Sequence, residues 1–164
     1  MLSVQDRLEL IDLSARYAAC VDARDFDGMV GLFAPGAVLT LPDPPGRMDA
    51  VLEFAGSTAI REALGALGDY PLTQHLVAGH VLDKGLAADT ASGTVACIAN
   101  HLARRPDGRV KNLVWHLRYD DEYQWTDAGW RFSRRSVNLL WIESQGVLVW
   151  AGPELDSADD MGPV

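Results

Sequence analysis

Basic residues are scarce in this sequence. Lys and Arg together number 14, against 23 Asp and Glu, and the formal net charge at pH 7 is −9. Proteins that bind nucleic acids or anionic membranes neutralise phosphate groups with clustered Lys and Arg, so we expect neither partner. Long apolar runs are also lacking, since none approaches the ~20 residues that span a bilayer. Residues 1–6 have neither the basic start nor the apolar stretch of a signal peptide, and we expect a cytoplasmic protein.

Cysteines are few, and the common catalytic motifs are missing. Cys20 and Cys97 are the only cysteines, and neither belongs to a Cys-x-x-Cys pair. We expect two reduced, packed thiols, with a disulfide between them as the alternative. The sequence contains no Gly-x-Gly-x-x-Gly, Walker, Gly-x-Ser-x-Gly or His-Glu-x-x-His motif. Nucleotide-binding, α/β-hydrolase and zincin functions therefore lack their sequence basis.

The composition is that of a globular protein. Hydrophobic residues make up 48% and charged residues 23% of the 164 positions, which is enough for one domain with a core of its own. The apolar pattern continues to Trp150 and then decays. We predict one domain over residues 1–150, followed by a mobile acidic tail over residues 151–164.

The first part of the chain has the periodicity of helices. Ser3 and Asp6 have the spacing of a capping box. Apolar residues follow at helical spacing in a stripe that ends on Asp22, which places a carboxylate on an otherwise apolar face. The elements predicted next are a short helix capped by Asp25, a strand at residues 37–41, a loop at residues 42–46 and a third helix capped by Ser57 or Thr58.

The rest of the chain alternates between apolar and polar residues with the period of strands. We predict four long strands, over residues 73–82, 90–102, 110–123 and 130–141. Helices followed by a series of strands predict an α+β fold, in which the helices pack on one face of a curved antiparallel sheet.

Histidines are the first candidates for function. His75 and His80 are five residues apart, so on a regular strand they face opposite sides and only one of them faces a pocket. His101 ends an apolar stripe on the next predicted strand. A buried histidine can equally be a hydrogen-bonded core residue, and Asp22 can simply cap the following turn. A metal site formed by His75, His101 and Asp22 has no local ligand spacing to support it.

Several segments, taken in order, resemble the SnoaL-like family of the nuclear-transport-factor superfold. They are ARYAACVDARDFD at residues 15–27, LFAP at 32–35, TQH at 73–75, the strand that ends at His101, and AGWRF at 128–132. The family's enzymes include scytalone dehydratase, a hexachlorocyclohexane dehydrochlorinase and bile-acid dehydratases. The resemblance implies a cone-shaped α+β fold, in which a curved antiparallel sheet closed by N-terminal helices surrounds one deep apolar pocket.

The resemblance also implies roles for individual residues. His75 matches the base that removes a proton from the substrate, and Asp22 matches the carboxylate that orients it. An imidazole is a competent base near neutral pH, and a buried carboxylate stabilises the imidazolium that forms. Arg135 matches a position where a basic residue assists the leaving group, with the neighbouring Arg134 as the alternative.

Four further positions match residues that line the family's pocket. They are Tyr17, Leu41, His101 and Tyr119. Core packing is the alternative role for both tyrosines. Leu41 and Val21 stand where scytalone dehydratase has two tyrosines that hold a water molecule, so the resemblance implies a different substrate.

The function implied by the resemblance is that of a lyase or isomerase acting on a small, apolar, cyclic molecule, without a metal or organic cofactor. The alternatives are a non-catalytic binding module of the same fold, an epoxide hydrolase with an Asp-Arg-Asp set, and an accessory subunit like the small chains of ring-hydroxylating dioxygenases. The apolar residues at 139–142 and 147–150 are too many for one small domain to cover. We therefore expect a homodimer or a homotrimer.

Overall fold

A computed structural model describes residues 1–150. The helices are α1 (Val4–Ala23), α2 (Phe26–Val30) and α3 (Gly56–Gly65), and a short 3-10 helix (Ala66–Asp69) follows α3. The strands are β1 (Phe33–Asp43), β2 (Arg47–Ala55), β3 (Leu72–Lys84), β4 (Thr90–Arg104), β5 (Val110–Thr126) and β6 (Gly129–Gly146). None of the helices in this part of the chain is both long and apolar enough to cross a membrane. The tail predicted at residues 151–164 lies outside the described residues.

The six strands form one curved sheet in the order β2-β1-β6-β5-β4-β3. Neighbouring strands are antiparallel, except that β1 and β6 are parallel. Within residues 1–150 the sheet does not close, since β2 and β3 are its two edges. α1 packs against β3 and β6, and α3 packs against β1 and β2. The predicted α+β class, with N-terminal helices on a curved sheet, is confirmed.

The two longer helices begin in different ways. Ser3 starts α1 with the predicted capping box. α3 instead begins directly after β2, with Ala55 as its N-cap residue and no side-chain cap. Gly56 has a φ of +79°, a conformation that glycine adopts readily, and it turns the chain from the strand into the helix. The predicted cap at Ser57 or Thr58 is therefore wrong.

The predicted strands all lie within observed ones, but β2 was not predicted. β2 is an edge strand, and its apolar residues Val51 and Leu52 are adjacent and both exposed. Apolar residues nevertheless occupy every second position of β2, at Met48, Ala50, Leu52 and Phe54, and only Val51 breaks the alternation, so the pattern of a strand was present in the sequence.

An irregularity in β3 changes which of its residues face inward. The pairing of β3 with β4 shifts register at Gly79, whose φ of 60° accommodates a bulge. His75 pairs with Ala99 and His80 pairs with Val95, and both partners are buried on the inward face of β4. The prediction that His75 and His80 face opposite sides is wrong. The bulge adds one residue between them, so two residues that are five positions apart point to the same face of the sheet.

Two other sequence expectations concern exposure and thiols. Leu139 was expected in an exposed apolar surface, but it is buried on the inward face of β6. Its neighbours Leu140 and Trp141 are exposed, so self-association through this part of the sheet stays a prediction. Cys20 and Cys97 are both free thiols.

Candidate active site

A hydrogen-bonded pair joins the end of α1 to the start of β3. Nδ1 of His75 lies 2.7 Å from Oδ1 of Asp22, and the backbone amide of His75 donates to Oδ2 at 2.8 Å. Thr73 also donates its hydroxyl to Oδ1, at 2.9 Å. The side chain of His75 is 7% exposed and that of Asp22 is 24% exposed. We call these two residues the Asp22–His75 pair.

The local sequence explains why these side chains meet. Asp22 lies in the last turn of α1, on the side of the helix that packs against the sheet beside Val21. Thr73 and His75 are two residues apart on β3, so both side chains point to the inward face. The carboxylate of Asp22 can then accept from both residues at once.

The hydrogen bonds fix the charge of Asp22 and the orientation of the imidazole. Burial by itself raises the pKa of Asp22, but the bonds from His75 and Thr73 outweigh it and hold the pKa below its ordinary value of 3.8. An ionised carboxylate only accepts, so Nδ1 of His75 carries the donated proton. The lone pair of Nε2 is left free, and Nε2 makes no hydrogen bond within residues 1–150.

His101 lies beside the pair on the inward face of β4. Its ring centroid is 5.6 Å from that of His75, 5.1 Å from that of Tyr70 and 4.8 Å from that of Trp115. Nδ1 of His101 lies 3.3 Å from the carbonyl oxygen of Leu113, so it is the protonated nitrogen. Burial and the neighbouring His75 lower the pKa of His101 to about 4. His101 is therefore neutral at physiological pH.

The structure shows which of the two candidate arginines faces inward. Arg135 is fully buried, and Nε and Nη2 donate to the two carboxylate oxygens of Asp121 at 2.8 and 2.7 Å. Arg134 points to the other side of the sheet, where Nη1 lies 3.3 Å from Glu53. Burial opposes the charge of Arg135, but Asp121 outweighs it and raises the pKa above its ordinary value. The Arg135–Asp121 pair is thus a fully buried ion pair.

Aromatic side chains surround the guanidinium group of Arg135. Its Cζ atom lies 4.3 Å from the ring centroid of Tyr17 and 4.1 Å from those of Tyr119 and Phe132. Tyr123 donates its hydroxyl to Asp121 at 2.9 Å. Burial raises the pKa of Tyr17 to about 12 and that of Tyr119 well above 10, so both phenols stay neutral. Both tyrosines lie in the core, and a role in substrate binding stays a prediction.

The two pairs are separate groups on the same inward face. Among residues 1–150, no hydrogen bond, ion pair or ring contact joins the Asp22–His75 pair to the Arg135–Asp121 pair. Cys97 is buried on the same face, and burial raises the pKa of its thiol to about 11, while Arg135 lowers this pKa and Asp22 raises it. The sequence-predicted residues therefore form two clusters rather than one.

Comparison with known proteins identifies the family. A family model described as a SnoaL-like domain matches residues 3–136. The chain belongs to the SnoaL-like domain family. The resemblance stated from the sequence is confirmed.

Relatives of this SnoaL-like domain include a mycobacterial protein and two solved structures. The uncharacterized protein Rv2910c of Mycobacterium tuberculosis is 31% identical over 141 residues, which cover 82% of this chain and 88% of that protein. The crystal structure of a hexachlorocyclohexane dehydrochlorinase, LinA type 2, is 18% identical with a TM-score of 0.72, and the match covers 93% of this chain and 100% of LinA. An NTF2-like protein with a cystatin-like fold from Novosphingobium aromaticivorans is 23% identical with a TM-score of 0.61, covering 84% of this chain and 83% of the other. At these identities the two structures show a shared fold.

Two surface depressions of the SnoaL-like domain are lined by residues other than the Asp22–His75 pair. One, of about 310 Å³, lies between Trp125, Trp130 and the N-terminus, and the other, of about 320 Å³, lies near Val81 and Glu122. Neither contains Asp22 or His75. The deep pocket beside the pair therefore stays a prediction.

The remaining predicted residues are placed as follows. Leu41 is half-buried and packs against the core from β1. Asp22, His75 and His101 do not form part of a metal-binding group, since the described residues contain no cluster of three or more His, Cys, Asp or Glu side chains arranged to hold an ion. The geometry gives no support to the alternative of two histidines and one carboxylate.

Sequence reasoning assigned no role to several residues of the SnoaL-like domain that belong to the two pairs or lie around them. They are Arg24, Thr73, His80, Asp121 and Tyr123. Tyr119, Asp121 and Tyr123 alternate along β5, so that pattern could have indicated a polar inward face. No such pattern marked Arg24 or His80. Arg24 has a positive φ and His80 follows a bulge, and alternation along the sequence reveals neither feature.

Proposed function

We propose that this SnoaL-like domain is a lyase or isomerase acting on a small, apolar, cyclic molecule, with His75 as its general base. The observation that carries the proposal is the 2.7 Å contact between Nδ1 of His75 and Asp22, which leaves Nε2 as the free basic nitrogen. A positioned base of this kind contributes typically about 10²–10⁴-fold to a proton transfer.

The reaction begins when Nε2 takes a proton from a carbon atom of the substrate. The electron pair of the broken C–H bond forms a new double bond, and a hydroxide or halide leaves the adjacent carbon with its bonding pair. In an isomerisation the imidazolium instead returns the proton to a different carbon. Asp22 stabilises the imidazolium in either case, as a buried carboxylate does for the histidine of a serine-protease triad. These steps require no metal or organic cofactor.

Arg135 has a different proposed role from the Asp22–His75 pair. Its charge is permanent and buried, and Asp121 holds it in place with two hydrogen bonds. A fixed cation in a low-dielectric interior stabilises negative charge that develops on a departing group. We propose that Arg135 stabilises the leaving group. Its position among three aromatic rings favours an apolar substrate.

The fold relationship to LinA supports elimination as the reaction class. LinA is a dehydrochlorinase, and it shares the fold of this chain over most of both lengths. Loss of hydrogen chloride and loss of water are both eliminations that begin with removal of a proton. The mostly aromatic and aliphatic interior of this chain favours an apolar, cyclic substrate.

The test is a substrate screen with matched variants. Cyclic alcohols, β-hydroxy ketones and chlorinated rings are incubated with the protein, and mass spectrometry detects loss of water or hydrogen chloride, while NMR detects a moved double bond. We expect His75→Ala to lower turnover at least about 100-fold with the fold intact by circular dichroism. His116→Ala is the control, because His116 stacks on Trp141 away from the pair and should leave turnover unchanged.

Two results contradict the proposal. Turnover by His75→Ala at the wild-type rate excludes His75 as the base. Binding of the ring compounds without any product identifies the alternative, a non-catalytic binding module of the same fold.

A further inference from the structure

A chain of hydrogen bonds runs from Arg24 through Thr73 to the carboxylate of Asp22. Nη1 of Arg24 donates to Oγ1 of Thr73 at 2.7 Å, and Oγ1 lies 2.9 Å from Oδ1 of Asp22. A guanidinium group only donates, so the hydroxyl oxygen must accept from Arg24. The single proton of the hydroxyl is then directed to Asp22. Arg24 thereby fixes the direction in which Thr73 donates.

Arg24 is itself held in an uncommon conformation. It caps α1 with a φ of 59°, in the left-handed region that few residues other than glycine adopt. Its guanidinium group also donates to the carbonyl oxygens of Val21 at 2.9 Å and of Tyr70 at 2.8 Å. These bonds join the end of α1 to the segment before β3. A backbone conformation of this kind persists where the surrounding structure over-determines it.

Three hydrogen-bond donors converge on the carboxylate of Asp22. Oδ1 accepts from Thr73 and from the ring of His75, and Oδ2 accepts from the backbone amide of His75. Of these three donors, only the Thr73 hydroxyl can turn its proton towards a different acceptor. The hydrogen bond that Arg24 donates to the hydroxyl oxygen prevents this. Three donors therefore fix the carboxylate, two of them on Oδ1 and one on Oδ2.

We propose that Arg24 and Thr73 are positioning residues that keep the Asp22 carboxylate ionised and aligned with the ring of His75. The inference rests on the proposed function only where it concerns catalysis, because the hydrogen bonds that hold Asp22 are present in the protein without a substrate. The other titratable groups that face the pair are His101 and Cys97, both on β4. Neither donates a hydrogen bond to Asp22.

The test measures the titration of Asp22 directly by carboxyl ¹³C NMR. Thr73→Val keeps the shape of the side chain but removes the hydroxyl, and we expect it to raise the pKa of Asp22 by about half a pH unit or more. Thr73→Ser retains the hydroxyl and should titrate like the wild type. Arg24→Met removes the cation and releases the hydroxyl, so it should shift the titration in the same direction as Thr73→Val.

The outcomes separate this inference from the proposed function. An Asp22 titration that Thr73→Val leaves unchanged overturns the inference, and so does a Thr73→Ser variant that behaves like Thr73→Val. Arg24→Met provides the same comparison if Thr73→Val does not fold. Loss of the proposed function would appear instead as full turnover by His75→Ala, whatever the NMR shows. With a substrate in hand, Thr73→Val should lower kcat about tenfold with KM unchanged, and Thr73→Ser should restore kcat.

Discussion

Lowering the pH tests the environment of His101. The folded protein holds the pKa of His101 at about 4, while in the unfolded chain the ring titrates near 6.5. As the pH falls below 6.5, the unfolded chain takes up a proton that the folded protein does not bind until about pH 4. Stability that is fully present above pH 6.5 is therefore lost as the pH falls from 6.5 towards 4.

The size of the loss follows from the two pKa values. Each pH unit between them corresponds to about 1.4 kcal/mol, so His101 removes about 2.5 kcal/mol between pH 7 and pH 4.5. His101→Phe retains an aromatic ring against Tyr70 and Trp115 but cannot titrate. We expect the variant to be less stable than the wild type at pH 7, because the bond to Leu113 is lost, and much less sensitive to acid.

The assay is urea unfolding of the wild type and of His101→Phe at pH 7 and at pH 4.5. The difference between the two proteins isolates His101, since all other carboxylates and histidines are common to both. We expect the wild type to lose about 2.5 kcal/mol more than the variant over this range. Losses that agree within about 0.5 kcal/mol would refute the buried, neutral environment assigned to His101.

Two further predictions concern the inward face of the sheet. Asp121→Leu should destabilise the protein by about 3–5 kcal/mol in urea, because Arg135 is left as an unpaired buried cation. The double variant with Arg135→Met should recover most of that loss, and a double variant no more stable than the single one argues against an ion pair. Gly79→Ala should cost about 1 kcal/mol because of its φ of 60°, whereas Gly65→Ala, in α3 with nothing within 4 Å of the new Cβ, should cost nothing. Equal effects of the two glycine variants argue against the bulge.

The Asp22–His75 pair could be anticipated because its parts follow regular geometry. Asp22 follows the buried Ala18 by one helical turn and His75 lies in a strand, so periodicity places each on its element. The predicted stripe itself is partly wrong, since its residues Ile11 and Ala15 are exposed. The contact between them could not come from periodicity, because it depends on how α1 packs against β3. The family resemblance supplied that long-range step.

The features that sequence reasoning missed arise where the backbone departs from regular geometry. The bulge at Gly79 reverses the expected orientation of His80, and alternation along a strand cannot reveal an inserted residue. Arg24, which donates to Thr73, has a positive φ that no sequence pattern indicated. The choice of Arg135 over Arg134 required the register between β5 and β6, which pairs Asp121 with Arg135.

The state of the His75 imidazole tests the central claim most directly. Long-range ¹H–¹⁵N NMR distinguishes the two neutral tautomers of a histidine without any substrate. Asp22→Asn is the matched control, because its amide can donate to Nδ1 and so release the constraint on the tautomer. For the neutral ring of the wild type, we predict a proton on Nδ1 and a free lone pair on Nε2. A proton on Nε2 with Nδ1 bare would contradict the role of His75 as a base oriented by Asp22.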